Sequence, residues 1–155
     1  MKEISGDLPT EKAHIKKEIL IKSDIANVWK VFCELEKWPL WGGYIIRSEW
    51  ISGKGWAKNS RFSQTVKGFW LISKFKSEPR ILEVVPFKRV KWAGTRKLIK
   101  GTHTFLFKKI GRNTKVSNLE NFSGILAPFV LPVMRGNFES YFEQFLEGLK
   151  RESER

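Results

Sequence analysis

The chain has 155 residues, of which 41% are hydrophobic and 29% charged, a length and balance that suit one domain with a real core. Its 29 Lys and Arg against 16 Asp and Glu give a net charge of +13, which raises nucleic acid or an anionic membrane surface as partners. A single cysteine, Cys33, excludes a disulfide framework and a cysteine-based metal site. Together with its apolar neighbours Val31, Phe32 and Leu35, that usage reads as a structural thiol in a reducing, cytoplasmic setting.

Residues 1–12 mix both charge signs with Gly6 and Pro9 and lack an apolar run, so they read as a flexible arm rather than a signal peptide or membrane span. Ile15, Ile19 and Ile21 then share one parity against Lys16, Glu18 and Lys22, the period of a half-buried strand. Ser23 or Asp24 caps a short amphipathic helix to Cys33, and a further helical turn precedes Pro39. Gly42-Gly43 breaks the chain. From Tyr44 to Ser60 the pattern predicts a strand, the turn Gly53-Lys54-Gly55 and the start of another strand. Two or three more strands lie between Arg61 and Trp92, with turns near Gly68, Pro79 and Pro86.

The strongest hairpin spans Lys97 to Ser123. A two-residue loop centred on Gly111-Arg112 pairs Phe107 with Val116, Phe105 with Asn118, His103 with Glu120 and Gly101 with Phe122, all on one face. Beyond Gly124 the spacing becomes helical, with Met134, Phe138, Tyr141, Phe142, Phe145 and Leu149 on one stripe and Pro132 expected to kink the helix. Residues 13–150 therefore form one α+β domain, followed by a charged tail at 151–155. Single lysines recurring along the strands, such as Lys16, Lys67, Lys74 and Lys108, fit a solvated sheet face and weaken the case for nucleic acid.

The order of these elements, with ILIKSDIANVWKVF, LEKWPLWGG, RVKWAG, GTHTFLF and NLENFSGILAP, resembles the START or helix-grip superfamily and its polyketide cyclase/dehydrase and lipid-transport (SRPBCC) family. The resemblance covers about residues 13 to 150 and implies a curved antiparallel sheet of about seven strands around a long C-terminal helix, with two short helices after the first strand. It also implies a ligand cavity between the sheet and that helix, with an entrance near the helix's N-terminal end. Fold alone does not choose among the carriers, receptors and aromatase/cyclases built this way.

No HExxH, GxSxG, CxxC, Walker or dinucleotide-binding signature occurs, and the only histidines, His14 and His103, fall on separate strands, so neither a metal nor a cofactor is called for. His103 and Glu120 are the candidate polar pair. Placed in an apolar hollow they can shuttle a proton, orient a ligand's polar end, or simply satisfy each other. Trp38, Trp41, Trp70 and Trp92, with Phe105, Asn118 and Phe122, are candidates to line the hollow, and Met134 and Phe138 to face it from the helix. The apolar run ILAPFVLPVM reads either as a buried helix start or as a gate that touches a membrane beside basic residues.

Three functions follow: binding or carriage of a hydrophobic, lipid-like or polycyclic molecule; a cyclase/dehydrase-type enzyme using His103 and Glu120; and peripheral binding to an anionic membrane or nucleic acid. The oligomeric state is not legible.

Overall fold

The computed structural model describes residues 13–96 and 98–155. The arm expected at 1–12 lies outside them. Strand β1 (Ile15–Ile21) leads into helix α1 (Ile25–Cys33), a 3-10 turn (Leu35–Lys37) and the short helix α2 (Trp38–Trp41). Asp24 caps α1, its carboxylate accepting from the backbone N–H of Asn27 at 2.9 Å. Pro39 lies within α2 rather than after it, because a proline in the first turn removes only an N–H that has no helical partner.

Seven strands follow: β2 (Ile45–Ser52), β3 (Arg61–Lys67), β4 (Lys74–Ser77), β5 (Arg80–Val85), β6 (Arg89–Arg96), β7 (Ile99–Ile110) and β8 (Asn113–Ser123). They form with β1 one curled antiparallel sheet in the order β1-β8-β7-β6-β5-β3-β2, with the short β4 attached to β3. The β7–β8 register has Phe107 opposite Val116, Phe105 opposite Asn118, His103 opposite Glu120 and Gly101 opposite Phe122, as the alternation predicts.

Helix α3 (Ala127–Ser153) lies in the grip of the sheet and passes through Pro132 without a break. It also runs three residues past the boundary expected at Lys150, and Ser153 is buried, so the tail is largely the last turn of the helix. Gly148 is what lets α3 approach α2: a Cβ there would sit 1.9 Å from the carbonyl oxygen of Trp41.

Rings dominate the interior. Phe32 packs against Trp38, Trp56, Phe105, Phe107 and Phe145 with centroids 4.9–6.3 Å apart. The indole N–H of Trp38 donates to the Phe32 carbonyl at 2.8 Å, and that of Trp56 to the Cys33 carbonyl at 2.7 Å. Both carbonyls belong to the last turn of α1, where no intrahelical donor remains. Burial pushes the Cys33 thiol up to about 12, so it stays protonated and inert at neutral pH.

The two glycines of α3 should respond oppositely to alanine. Gly148→Ala forces the helix off the Trp41 backbone and should cost about 3 kcal/mol, whereas Gly136→Ala, whose Cβ would meet nothing within 4 Å, should gain about 0.5–1 kcal/mol from helix propensity. Thermal unfolding followed by circular dichroism measures both, and equal midpoints for the two variants would contradict this account of the α2–α3 contact.

Candidate functional site

Three cross-strand rows define the concave face under α3, covered in turn by Phe145, Phe142 and Phe138. Reading from β6 through β7 to β8, they are Val90, Phe105 and Asn118; Trp92, His103 and Glu120; and Gly94, Gly101 and Phe122. The first row is deep in the ring-filled core. The last lies toward the end of the sheet where β6 turns into β7.

His103 is held on every side. Its ring stacks between Trp92 and Phe105 at centroid distances of 4.8 and 5.0 Å, and Phe142 of α3 covers it at 4.9 Å. Nδ1 faces Glu120 Oε2 at 3.4 Å, and Nε2 shares a hydrogen bond with Asn118 Oδ1. The side chains of His103 and Glu120 keep 12% and 15% of their surface, so a small molecule can still touch them.

Asn118 is fully buried, and its Nδ2 has no hydrogen-bond partner among the described residues. The hydrogen-bond arithmetic explains why. A doubly protonated His103 donates to both Glu120 and Asn118 Oδ1, leaving the amide NH₂ idle. A neutral ring carrying its proton on Nδ1 needs Nδ2 to turn toward Nε2, leaving the amide oxygen idle instead. In either state one polar atom of Asn118 calls for a group that this chain does not supply, at a cost of about 1–3 kcal/mol if it goes unmet.

Gly94 and Gly101 are paired across β6 and β7, so at that level these two strands carry no side chains and the row is closed by Phe122 of β8. A Cβ on Gly94 would meet nothing within 4 Å, while one on Gly101 would lie 2.7 Å from Glu120 Oε1, so the second glycine makes room for the carboxylate. Phe122 and Phe138 pack on each other at 5.0 Å. Tyr44 and Tyr141 stack at 4.4 Å, and the Tyr141 hydroxyl donates to the Lys67 carbonyl at 2.5 Å. Burial first, then the charge of Glu120 and the neighbouring Tyr141, pushes the Tyr44 phenol well above its ordinary range, so it remains a protonated donor.

The structure thus gathers Trp92, His103, Phe105, Asn118, Glu120, Phe122 and Phe138, with Met134 half-buried one turn before Phe138. Of the other three candidate tryptophans, Trp38 reaches this group through Trp92, its ring centroid 6.1 Å away, while Trp41 and Trp70 stand apart from it. Trp38 is fully buried and surrounded by rings; Trp41 packs on Phe145 beneath Gly148; and Trp70 stands 84% exposed at the turn from β3 to β4. A tryptophan beside Leu71 and Ile72 looks like core in sequence, but the hairpin projects it outward. His14 and His103 are separated by one strand, β8, and His14 Nδ1 is occupied by the backbone N–H of Phe122 at 3.0 Å.

Phe142 and Gly94 are parts of the site that sequence reasoning did not assign. Phe142 was reachable as the residue four beyond Phe138, and Gly94 as the residue two beyond Trp92. The Tyr44–Tyr141 stack had no local signal. The half of the interior bounded by α1 and α2 is filled by the ring cluster. Two pockets of about 440 and 450 Å³ lie outside the grip, one between Gly43 and the outer face of α3, the other between the start of α1 and the β7–β8 turn.

Solved structures share this architecture. A Thermus thermophilus protein superposes with a TM-score of 0.74 at 14% identity, covering 90% of this chain and 95% of its own. A START superfamily protein from Mycobacterium smegmatis gives 0.70 at 12% identity, over 88% and 96%. The di-domain ARO/CYC StfQ from the steffimycin biosynthetic pathway gives 0.72 at 12% identity, over 90% of this chain and 50% of that longer one. At such identities the likeness establishes the fold alone. No curated protein matches the chain in sequence. The family model described as polyketide cyclase/dehydrase and lipid transport matches residues 12–154, and the protein belongs to that family.

Proposed function

We propose that the chain binds a hydrophobic small molecule, lipid-like or polycyclic, in the space between the Gly94–Gly101 level of the sheet and the N-terminal half of α3. The observation that carries this reading is a stretch of concave face where β6 and β7 bear no side chains, next to the His103–Glu120 pair, whose side chains keep part of their surface. Apolar burial against Trp92, Phe122 and Phe138 supplies affinity at roughly 25 cal/mol per Å². The Asn118–His103–Glu120 row orients the ligand's one polar end, such as a hydroxyl or carbonyl, which can give or take a hydrogen bond from it. A half-buried thiol held in its protonated form fits residence in the reducing cytoplasm.

Native mass spectrometry of gently purified protein, with organic extraction of whatever travels with it, is the direct test. A stoichiometric apolar adduct with one polar end is the expected result. Gly94→Val should keep the fold, since a β-branched residue suits a strand and the new Cβ meets no atom within 4 Å, yet lower retention of the adduct by about tenfold or more. A bare protein mass together with no binding across lipid and polycyclic panels would sink the reading, as would a Gly94→Val chain that binds as well as the parent.

A second reading, cyclase/dehydrase-type turnover, is favoured by the Nδ1–Oε2 approach of 3.4 Å, by which His103 orients the part-exposed Glu120 carboxylate as the general base toward a bound carbonyl compound. Glu120→Gln separates the two. In a carrier it leaves ligand exchange the only function to measure, whereas in an enzyme it should retain the ligand and lower turnover by about 10²-fold or more. A polyketide-like ligand that the parent chain releases unchanged would exclude turnover.

A further inference from the structure

One end of the sheet is apolar on the outside and basic around its margin. Strand β3 starts at Arg61, level with Arg80 of β5 and so with Ala93 of β6, and runs toward Lys67. Its turn into β4 therefore projects from the same end at which β6 turns into β7 and β8 passes into α3. Two contacts tie these segments together: the Leu126 N–H donates to the Leu98 carbonyl at 3.3 Å, and the Tyr141 hydroxyl donates to the Lys67 and Gly68 carbonyls at 2.5 and 3.3 Å.

At that end Trp70 and Leu71 are 84% and 102% exposed, Ile125 and Phe129 are 74% and 73% exposed, and Leu98 and Val133 are more than half exposed. Trp70 is held outward even though its φ of 55° lies in the left-handed region that bulky residues avoid. Water gains nothing from such an arrangement, and large apolar groups clustered within a polar rim mark an interaction surface.

The charge pattern identifies the partner. Residues 66–76, 93–102 and 121–138, which build this end, contain no Asp or Glu, although the chain has 16. Lys67, Lys74 and Lys100 are exposed around it, while Lys76, also exposed, pairs with Glu78 at 3.3 Å. A protein partner or a second copy would need acidic groups to complement these lysines, and within these three segments a second copy has none to offer. An anionic bilayer offers both halves of the match: headgroups for the lysines and an acyl boundary for the indole and aliphatic tips. No helix among the described residues is long and apolar enough to cross a membrane, so the contact is peripheral. We infer that this end of the molecule, led by the β3–β4 turn and the start of α3, docks reversibly on anionic lipid surfaces. The inference stands independently of whether the interior holds a ligand.

The experiment is co-sedimentation of the full chain with vesicles of phosphatidylcholine containing phosphatidylglycerol, against pure phosphatidylcholine, over a salt series. Binding should require the anionic lipid and weaken as salt shortens the screening length. The double variant Trp70→Ser, Leu71→Ser removes only exposed side chains and should lower partitioning by about tenfold or more, the equivalent of at least about 1.4 kcal/mol. Lys74→Glu with Lys100→Glu should lower it comparably while leaving the thermal midpoint unchanged. Equal partitioning to neutral and anionic vesicles overturns the inference. So does indifference to the Trp70 and Leu71 substitutions, or retention on single-stranded oligonucleotide with no vesicle binding, which would assign the basic surface to nucleic acid. A dimer in sedimentation velocity that the same serine substitutions dissociate would show instead that a second copy covers this end.

Discussion

The indole N–H groups of Trp38 and Trp56 close off the last carbonyls of α1 inside an apolar core, and the rest of the interior is arranged around that constraint. A helix that ends against a sheet must find donors for its final carbonyls, because water does not reach them. Here the donors are themselves large rings, so satisfying the backbone and filling the grip are the same act. The consequence is asymmetric. The half of the concave face beneath α1 and α2 is packed with Phe32, Trp38, Trp56, Phe62, Phe105 and Phe145, while polar side chains and glycines are displaced toward the other half. The ligand proposed above would then lie beside the N-terminal half of α3.

Register then decides which groups meet there. Because successive side chains of a strand alternate faces, a slip of one residue between β7 and β8 would send His103, Phe105 and Phe107 to the convex side. The pairing holds through the whole hairpin, from Ile110 opposite Asn113 to Lys100 opposite Ser123. On α3, Phe138, Phe142 and Phe145 step along one stripe and meet Phe122, His103 and Phe105 in turn. The imidazole is thereby fixed between aromatic faces, and its two nitrogens can address only Glu120 and Asn118. Gly101 completes the arrangement by leaving the carboxylate the volume that any other residue would take.

Strongly periodic segments were readable from the residues alone. The β7–β8 hairpin follows from alternation meeting at Gly111-Arg112, β1 from the parity of its isoleucines, and α3 from its aromatic stripe, so the His103–Glu120 opposition was legible before any coordinates. What was not legible depends on long-range packing or on the lack of a side chain. Nothing near Tyr44 announces its stack on Tyr141, an open level at Gly94 leaves no pattern, and Trp38 and Trp70 look alike in sequence although one is the centre of the core and the other stands in water. Helix α3 is continuous through Pro132, whose missing N–H removes one hydrogen bond on the exposed side of the helix.

The two proposed surfaces bear on each other through the chain direction. The Gly94–Gly101 level lies within a few residues of the β6–β7 turn, and Phe122 lies just before the β8–α3 junction; both connections belong to the apolar, basic end of the sheet. A molecule leaving a bilayer docked at that end would travel only a short distance, past Leu98 and the first turns of α3, before meeting the Asn118–His103–Glu120 row. Apolar side chains at the margin would shield it from water on the way, and the first polar groups it met would be His103 and Glu120, with Asn118 one row deeper. An orientation follows from that order of encounter. The apolar body would lie toward Phe122 and Phe138 and the polar end would point inward, opposite to a lipid in a membrane, whose polar end faces out.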